Sequence, residues 1–235
     1  MSSLPKIKYP IFELTLPSTK ETIKFRPFTV KEEKLLLIAQ EGDELTDRLT
    51  AIRQVVNNCM LNLPKDIGLL PSFDLEYCFL KLRSKSVGNE IQLTYRDNSD
   101  EKNYDFEVDL DKIEITFDEN HNKTIQLTED LGVIMEYPTI ETIIAIGNNI
   151  GDSAATLNLI KKCISTIFDN DNSWNVSDYT DEEITEFIES IPTKQFEKIS
   201  DFFETTPVLK HDLHYTDSTG TEKTITLQGI SDFFQ

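Results

Sequence analysis

A chain of 235 residues can form one large domain or two small ones, and 38% hydrophobic content with 14 Phe is enough for a core. A formal charge of −19 repels phosphate backbones and anionic bilayers, which argues against direct nucleic-acid or membrane binding. No apolar run approaches the ~20 residues of a membrane span. The opening Met1-Ser2-Ser3-Leu4-Pro5-Lys6 lacks the apolar core of a signal peptide, so the expected place of action is the compartment of synthesis.

Ile11–Leu16 alternates apolar and polar residues as a half-buried strand does; Pro17-Ser18-Thr19-Lys20 supplies a turn and Thr22–Phe25 the returning strand. Thr29 and Glu32 form a Thr-x-x-Glu capping pattern for a helix from Val30 to about Gln40, broken by Gly42 and Asp43. A second helix is expected over about Glu44–Asn62, with Leu45, Leu49, Ile52, Val56 and Cys59 every three or four residues. Pro64 and Pro71 bracket a loop before a third helix, about Asp74–Ser84.

Strands are expected at Ile91–Tyr95 and Tyr104–Leu110 around a polar tip at 97–101, and at Ile113–Phe117 and Thr124–Leu127 around the turn 119–122, giving a central meander or small sheet. Helices follow at Thr139–Ile146, from Ser153 through Phe168, from the second capping box Thr180–Glu183 to Ser190, and from Thr193 to about Glu204. Leu209–Tyr215 and Thr221–Leu227 read as a final hairpin around Asp217-Ser218-Thr219-Gly220. The fold class is therefore α+β, in three sections: an N-terminal hairpin with helices (1–88), central antiparallel strands (89–137), and C-terminal helices with a terminal hairpin (138–235).

Catalytic signatures are missing from this pattern. Cys59, Cys78 and Cys163 lie far apart among apolar residues and read as reduced core thiols. His121 falls in a polar turn; His211 and His214, three apart on a strand, tend toward opposite faces. Gly147-Asn148-Asn149-Ile150-Gly151-Asp152 lacks the Lys-Ser/Thr of a phosphate loop and reads as a helix-breaking turn. Asp169-Asn170-Asp171-Asn172-Ser173 imitates the start of a calcium loop, but Trp174 stands where Gly is needed and Thr180 where a bidentate Glu belongs. The expectation is an acidic loop that packs Trp174 onto its domain. No cofactor, metal or small-molecule substrate is assigned. The charge is uneven: seven Lys or Arg fall in the first 34 residues, whereas Asp97–Glu141 and Asp169–Glu204 are strongly acidic, which suits either a docking face for a basic partner or a solvated surface.

Several segments taken together resemble the T4-type tailed-phage baseplate hub and hub-assembly proteins. They are Leu4-Pro5-Lys6 with Tyr9-Pro10, Leu14-Thr15-Leu16-Pro17-Ser18-Thr19, Phe25-Arg26-Pro27-Phe28-Thr29-Val30-Lys31-Glu32-Glu33-Lys34, the block Phe73 to Gly88 ending Lys85-Ser86-Val87-Gly88, and Leu227-Gln228-Gly229-Ile230-Ser231-Asp232-Phe233-Phe234. The resemblance spans nearly the full chain. It implies a non-enzymatic phage protein of the contractile-tail baseplate hub, acting as subunit or assembly factor in the infected bacterial cytoplasm, with other hub or tail proteins as partners. A chaperone for the tape-measure protein is the alternative, and a hydrolase with a concealed carboxylate site is a third reading. Some relatives in such a family carry Cys-x-x-Cys knuckles at hairpin tips. The corresponding tips here, Asp97–Lys102 and Asp217–Gly220, have no cysteine and are expected to be hydrogen-bonded polar turns.

The residues assigned to partner binding are Arg26, Phe28, Lys31 and Lys34 at the N-terminal block and Phe233 and Phe234 at the end. Arg26 is alternatively a surface ion pair and Phe28 a core residue beside the helix start. The two terminal Phe either insert into a partner or tuck into the core.

Overall fold

The computed structural model describes residues 7–42, 44–147 and 153–233. Its fold is α+β, as the patterning predicts, with eight α-helices and small antiparallel sheets among the described residues. Contacts divide it into two compact units. The larger comprises 7–42, 47–115 and 208–233; the smaller comprises 44–46 and the described residues of 116–207.

The larger unit starts with the hairpin β1 (Phe12–Thr15) and β2 (Thr22–Phe25), paired Phe12 to Phe25 and Thr15 to Thr22. Its alternation puts Leu14, Ile23 and Phe25 inward. Lys20 takes the left-handed conformation (φ 62°) that closes the turn. Helix α1 (Val30–Gln40) begins at the Thr29/Glu32 capping box. Helix α2 (Leu45–Cys59) stops three residues short of the expected end, because the next residues join the sheet: Phe25 bridges to Met60, and the Leu61 N–H donates to the Lys24 carbonyl at 2.8 Å.

Helix α3 (Ser72–Ser86) is buried around most of its circumference, with Phe73, Leu75, Cys78, Leu80 and Leu82 all at 2% exposure or less, and forms the axis of this unit. At its start the fully buried Asp74 accepts hydrogen bonds from the Ser18 amide (3.0 Å) and the Ser18 hydroxyl, fixing the β1–β2 turn on the helix. Two longer hairpins complete the unit. β3 (Glu90–Asp97) pairs with β4 (Lys102–Asp109), and β10 (Val208–Thr216) pairs with β11 (Glu222–Gln228). The strand β5 (Ile115–Thr116) extends the second to a sheet of order β11-β10-β5. Helix α8 (Gly229–Phe233) follows a left-handed Gly229 (φ 68°).

The smaller unit holds the sheet β6-β7-β8-β9: β6 (Thr124–Gln126), β7 (Gly132–Met135), β8 (Ile164–Phe168) and β9 (Ser173–Asn175). Two expectations are corrected here. The helix foreseen from Ser153 through Phe168 ends at Cys163 as α5 (Ser153–Cys163), and Ile164-Ser165-Thr166-Ile167-Phe168 is the second interior strand, between β7 and β9. Its β-branched residues suit a strand buried on both faces, and three-to-four spacing of Ile cannot distinguish the two states over so short a run. The strands at 113–117 and 124–127 do not pair as a meander; β5 joins β10 while β6 pairs with β7, a strand the pattern did not show. Gly132 in β7 lies under the Phe168 ring, where a Cβ would come within 2.3 Å of the ring edge, so this position admits no side chain without moving Phe168.

Helices α4 (Ile140–Ile146), α6 (Asp181–Glu189) and α7 (Thr193–Glu204) belong to the same unit. Ile184, Ile188, Ile199 and Phe202 of α6 and α7 join Val133, Met135, Ile164 and Ile167 of the sheet in one core. The Thr180–Glu183 capping box forms as predicted, with the Glu183 carboxylate accepting from the Thr180 amide at 2.8 Å. Gly147 (φ 75°) ends α4, while the rest of the turn expected at 147–152 lies outside the described residues.

Candidate functional site

The structure separates the sequence-predicted site residues into three kinds. Arg26 is committed internally. Its guanidinium donates to Glu32 Oε1 at 3.0 Å, to the Pro27 carbonyl at 2.9 Å and to the Asn58 carbonyl at 3.2 Å, and it lies against the Tyr9 ring. Glu32 is only 2% exposed and also accepts from the Thr29 amide at 2.9 Å. Burial alone would raise the Glu32 pKa, but the Arg26 and Thr29 hydrogen bonds overcome it and hold the carboxyl at about 2. Arg26 therefore locks the start of α1 onto β2 and the end of α2. Phe28 is half-buried, and its amide donates to the Ser86 hydroxyl. Phe233 is packed at 1% exposure, the tucked alternative; Phe234 lies outside the described residues.

Lys31 and Lys34 are different. Both are exposed on α1, beside an apolar set that faces solvent with them: Val30 is 79% exposed, Leu37 55% and Ile38 56%. Positions 30, 34, 37 and 38 fall on one helical stripe. The opposite stripe carries Glu32, Leu35, Leu36 and Ala39, and within α1 only Glu32 is fully buried. Leu35-Leu36-Leu37-Ile38-Ala39 thus spreads apolar side chains right around the helix, more than the fold covers.

The two cysteine-free hairpin tips meet through an ionic clip. Lys223 Nζ donates to Asp97 Oδ2 at 2.6 Å and sits 3.1 Å from Asp217 Oδ2. Both carboxylates are nearly sealed from solvent, with 7% and 6% side-chain exposure. Tyr215 donates to Asp97 at 2.7 Å, the Ser218 amide to Asp100 at 3.1 Å, and the Tyr104 and Tyr215 rings pack at a 47° tilt with centroids 4.4 Å apart. Hydrogen bonds from Lys223 and Ser99 hold Asp97 well below the usual carboxylate range; Thr219, with the Thr221 amide and Lys223, does the same for Asp217. Polar turns were predicted at these tips, but that they join was not visible, because Asp97 and Lys223 are 126 residues apart. Lys223→Met is expected to lower the melting temperature by more than ~5 °C, since it leaves two enclosed carboxylates facing each other. Lys112→Met, which removes an 80% exposed ammonium from Asp109, serves as control and is expected to have little effect.

In the smaller unit, His121 lies in the polar turn expected of it, its amide donating to the Asp118 carbonyl at 3.1 Å, while its ring packs inward. Its ring packs against both Tyr137 (5.4 Å between centroids) and Phe202 (5.0 Å), which also touch each other at 5.8 Å, so the three rings form a cluster. The Thr205 hydroxyl donates to the Asp201 carbonyl, so His121 Nδ1 must be the donor in its 2.9 Å contact with Thr205 Oγ1. Nε2 is then an unprotonated acceptor, buried without a hydrogen-bond partner among the described residues. Burial lowers the His121 pKa, with Asp118 opposing and Lys123 assisting. A folded pKa below the unfolded one means that stability is held above the ordinary imidazole value, ~6.5, and lost as pH falls through it. Thermal scans across that range are expected to show a falling midpoint in the wild type, and a weaker fall in His121→Phe.

Two surface depressions lie in this unit. One, of about 430 Å³, is lined by polar residues including Asn120, Asn122, Lys198 and Asp201. The other, of about 410 Å³, is an aromatic groove formed by Leu131, Ile167, Trp174, Tyr179, Ile184 and Phe187, with Glu183 at its side. Trp174 packs against the core of this unit, as expected for the acidic loop at 169–173.

Among the described residues no group of three or more His, Cys, Asp or Glu could hold a metal ion, and no helix is long and apolar enough to cross a membrane. The three cysteines are buried, and desolvation raises each thiol, Cys59 to about 11 and Cys163 to about 12, far from a reactive thiolate at neutral pH.

No curated protein and no solved structure matches the chain. The family model described as T4 bacteriophage base plate protein matches residues 9–235, which takes in the Arg26 lock, the α1 stripe, both hairpin tips and the aromatic groove. The chain belongs to the T4 bacteriophage base plate protein family.

Proposed function

We propose that this baseplate protein works without catalysis in the central hub of the contractile tail, as a hub subunit or hub assembly factor, and that α1 is the element it presents to other baseplate proteins. The observation that carries the α1 assignment is the exposed stripe of Val30, Leu37 and Ile38 with Lys31 and Lys34, held on a helix whose start is locked from behind by Arg26 and Glu32. A helix that shows apolar residues at i, i+7 and i+8 to solvent, bordered by charge, fits the helix-in-groove mode of recognition. Assembly takes place in the infected bacterial cytoplasm in this reading.

Quantitative mass spectrometry of purified virions against infected-cell lysate tests it. A fixed small copy number in virions supports a retained subunit; abundance in lysate with absence from virions supports a departing assembly factor or tape-measure chaperone. Phage carrying Lys31→Glu/Lys34→Glu are expected to accumulate incomplete baseplates. Normal assembly by that variant removes the docking role of α1.

A further inference from the structure

We propose that this chain carries one structural repeat twice, β1 to β4 and again β6 to β11, and that the joined hairpin tips are a two-fold contact between the equivalent hairpins of the two copies.

The first parts of the two repeats agree bond by bond. Leu16, Ile23 and Phe25 of the β1–β2 hairpin are buried, and so are Leu127, Val133 and Met135 of the β6–β7 hairpin. Each hairpin is closed by a leucine amide, Leu16 to the Glu21 carbonyl and Leu127 to the Leu131 carbonyl, both at 2.9 Å. A helix then starts from a threonine N-cap, Thr29 before α1 and Thr139 before α4. The next helix, α2 or α5, ends on a buried cysteine, Cys59 or Cys163. In both places the cysteine carbonyl accepts from the residue that follows the hairpin, Arg26 at 3.1 Å and Glu136 at 2.6 Å. The residue after the cysteine pairs antiparallel with the last residue of the hairpin, Met60 with Phe25 and Ile164 with Met135.

The later parts agree in the same order. Pro71 precedes α3 and Pro192 precedes α7, and each proline carbonyl accepts from the third residue on, Asp74 or Gln195, at 2.9 Å. Asp97 lies 26 residues beyond Pro71, and Asp217 lies 25 beyond Pro192. The two aspartates make the same turn. Asp97 accepts from the Ser99 amide and hydroxyl at 2.8 and 2.7 Å, and Asp217 from the Thr219 amide and hydroxyl at 2.8 and 2.6 Å. Two residues before them stand Tyr95 and Tyr215, whose cross-strand partners are Tyr104 and Lys223. The second repeat differs by an insertion between Cys163 and Pro192, which adds β9 and α6. A hairpin or a capped helix is commonplace alone; the same bonds in the same order are not.

These equivalences give the clip its form. A contact across a two-fold axis brings like residues together. Both long hairpins belong to the larger unit. There Asp97 and its equivalent Asp217 converge on one ammonium, and Tyr95 and its equivalent Tyr215 approach to 6.2 Å between ring centroids. Lys223 breaks the symmetry, because Tyr104 holds its place on the first hairpin. A surface suited to joining two copies of the repeat is thus satisfied within one chain.

Moving the cation across the axis, in the full chain, tests the inference. Lys223→Tyr is expected to lower the melting temperature by more than ~5 °C, since both carboxylates lose their cation. Tyr104→Lys/Lys223→Tyr returns the ammonium to the equivalent place on the first hairpin and is expected to recover most of that loss. Asn103→Lys/Lys223→Tyr adds the same charge one residue away, on the other face of β4, and is expected to recover little. Carboxyl titrations of Asp97 and Asp217, followed by NMR, are expected below the ordinary range in the wild type and in the exchanged variant, and nearer to it in Lys223→Tyr. If the Lys223→Tyr chain does not fold, Lys223→Met with and without Tyr104→Lys supplies the same comparison. The baseplate role stands whichever way these readings fall. An exchanged variant no more stable than the single one, equal recovery by the Asn103→Lys control, or recovered stability without the return of both titrations overturns the inference.

Discussion

Lys81→Met is expected to destabilise the larger unit by about 3 kcal/mol, a fall of ~10 °C in melting temperature. Lys81 extends from α3 into the turn that follows β4, and its residue exposure is 8%. Its ammonium donates to the Asp111 and Ile113 carbonyls at 2.8 Å each, to the Leu110 carbonyl at 3.4 Å and to Glu114 Oε1 at 3.1 Å, and lies 5.0 Å from the centre of the Tyr77 ring. Methionine fills the same stem volume but donates nothing, so carbonyls that face inward lose their only described side-chain donor. The loss is larger than for an ordinary surface lysine because those carbonyls cannot turn to water. Lys85→Met is the control: its partner Asp111 is 35% exposed, and removal of such a pair is expected to change stability by less than ~1 kcal/mol. Denaturant melts of the two variants decide the matter. Equal effects would show that Lys81 acts as a surface ion pair and not as the organiser of the 110–114 turn.

Arg26→Met has an expected cost of similar size, about 3 kcal/mol, because it leaves the Glu32 carboxylate buried without its guanidinium. The double variant Arg26→Met/Glu32→Leu is expected to recover most of the loss, since the strain lies in the unpaired charge. The pH profile carries an independent signature. Glu32 has a folded pKa of about 2 against an ordinary value of 4.5. The lowered value means that its contribution is complete above 4.5 and fades as pH falls toward about 2. The double variant lacks this acid-side loss, so its stability and that of the wild type are expected to converge below the ordinary carboxylate range. Docking through α1 is predicted to weaken in Arg26→Met even though the lysines are untouched, because the helix start is no longer fixed.

What the sequence disclosed and what it concealed follow from the range of the interactions. Alternation in β1, β2 and the two long hairpins, and the capping boxes at Thr29 and Thr180, are written over a few residues, and they appear where local patterning places them. Strand β8 was read as helix because Ile160, Ile164 and Ile167 keep helical spacing across the junction with α5; only pairing with β7 and β9 reveals the strand. The His121 ring cluster, the Lys81 turn and the Asp97–Lys223 clip join residues 29 to 126 positions apart, and no local pattern announces them. The aromatic groove was partly visible: Trp174 was assigned to packing, but its neighbours Tyr179 and Phe187 take meaning only once α6 lies beside β8 and β9. Arg26 and Lys31 looked alike as basic residues of one block. The structure turns one inward to Glu32 and leaves the other in solvent.

The clip at the hairpin tips uses a cation that is covalently part of the chain. A metal ion in such a place obeys mass action, so that closure follows its free concentration and reverses with a chelator. An ammonium on the β11 backbone is present at one per molecule from synthesis onward, at an effective concentration fixed by its tether. Joining the tips is therefore indifferent to how much metal the surroundings supply, and a preparation treated with chelator is expected to keep the same melting temperature.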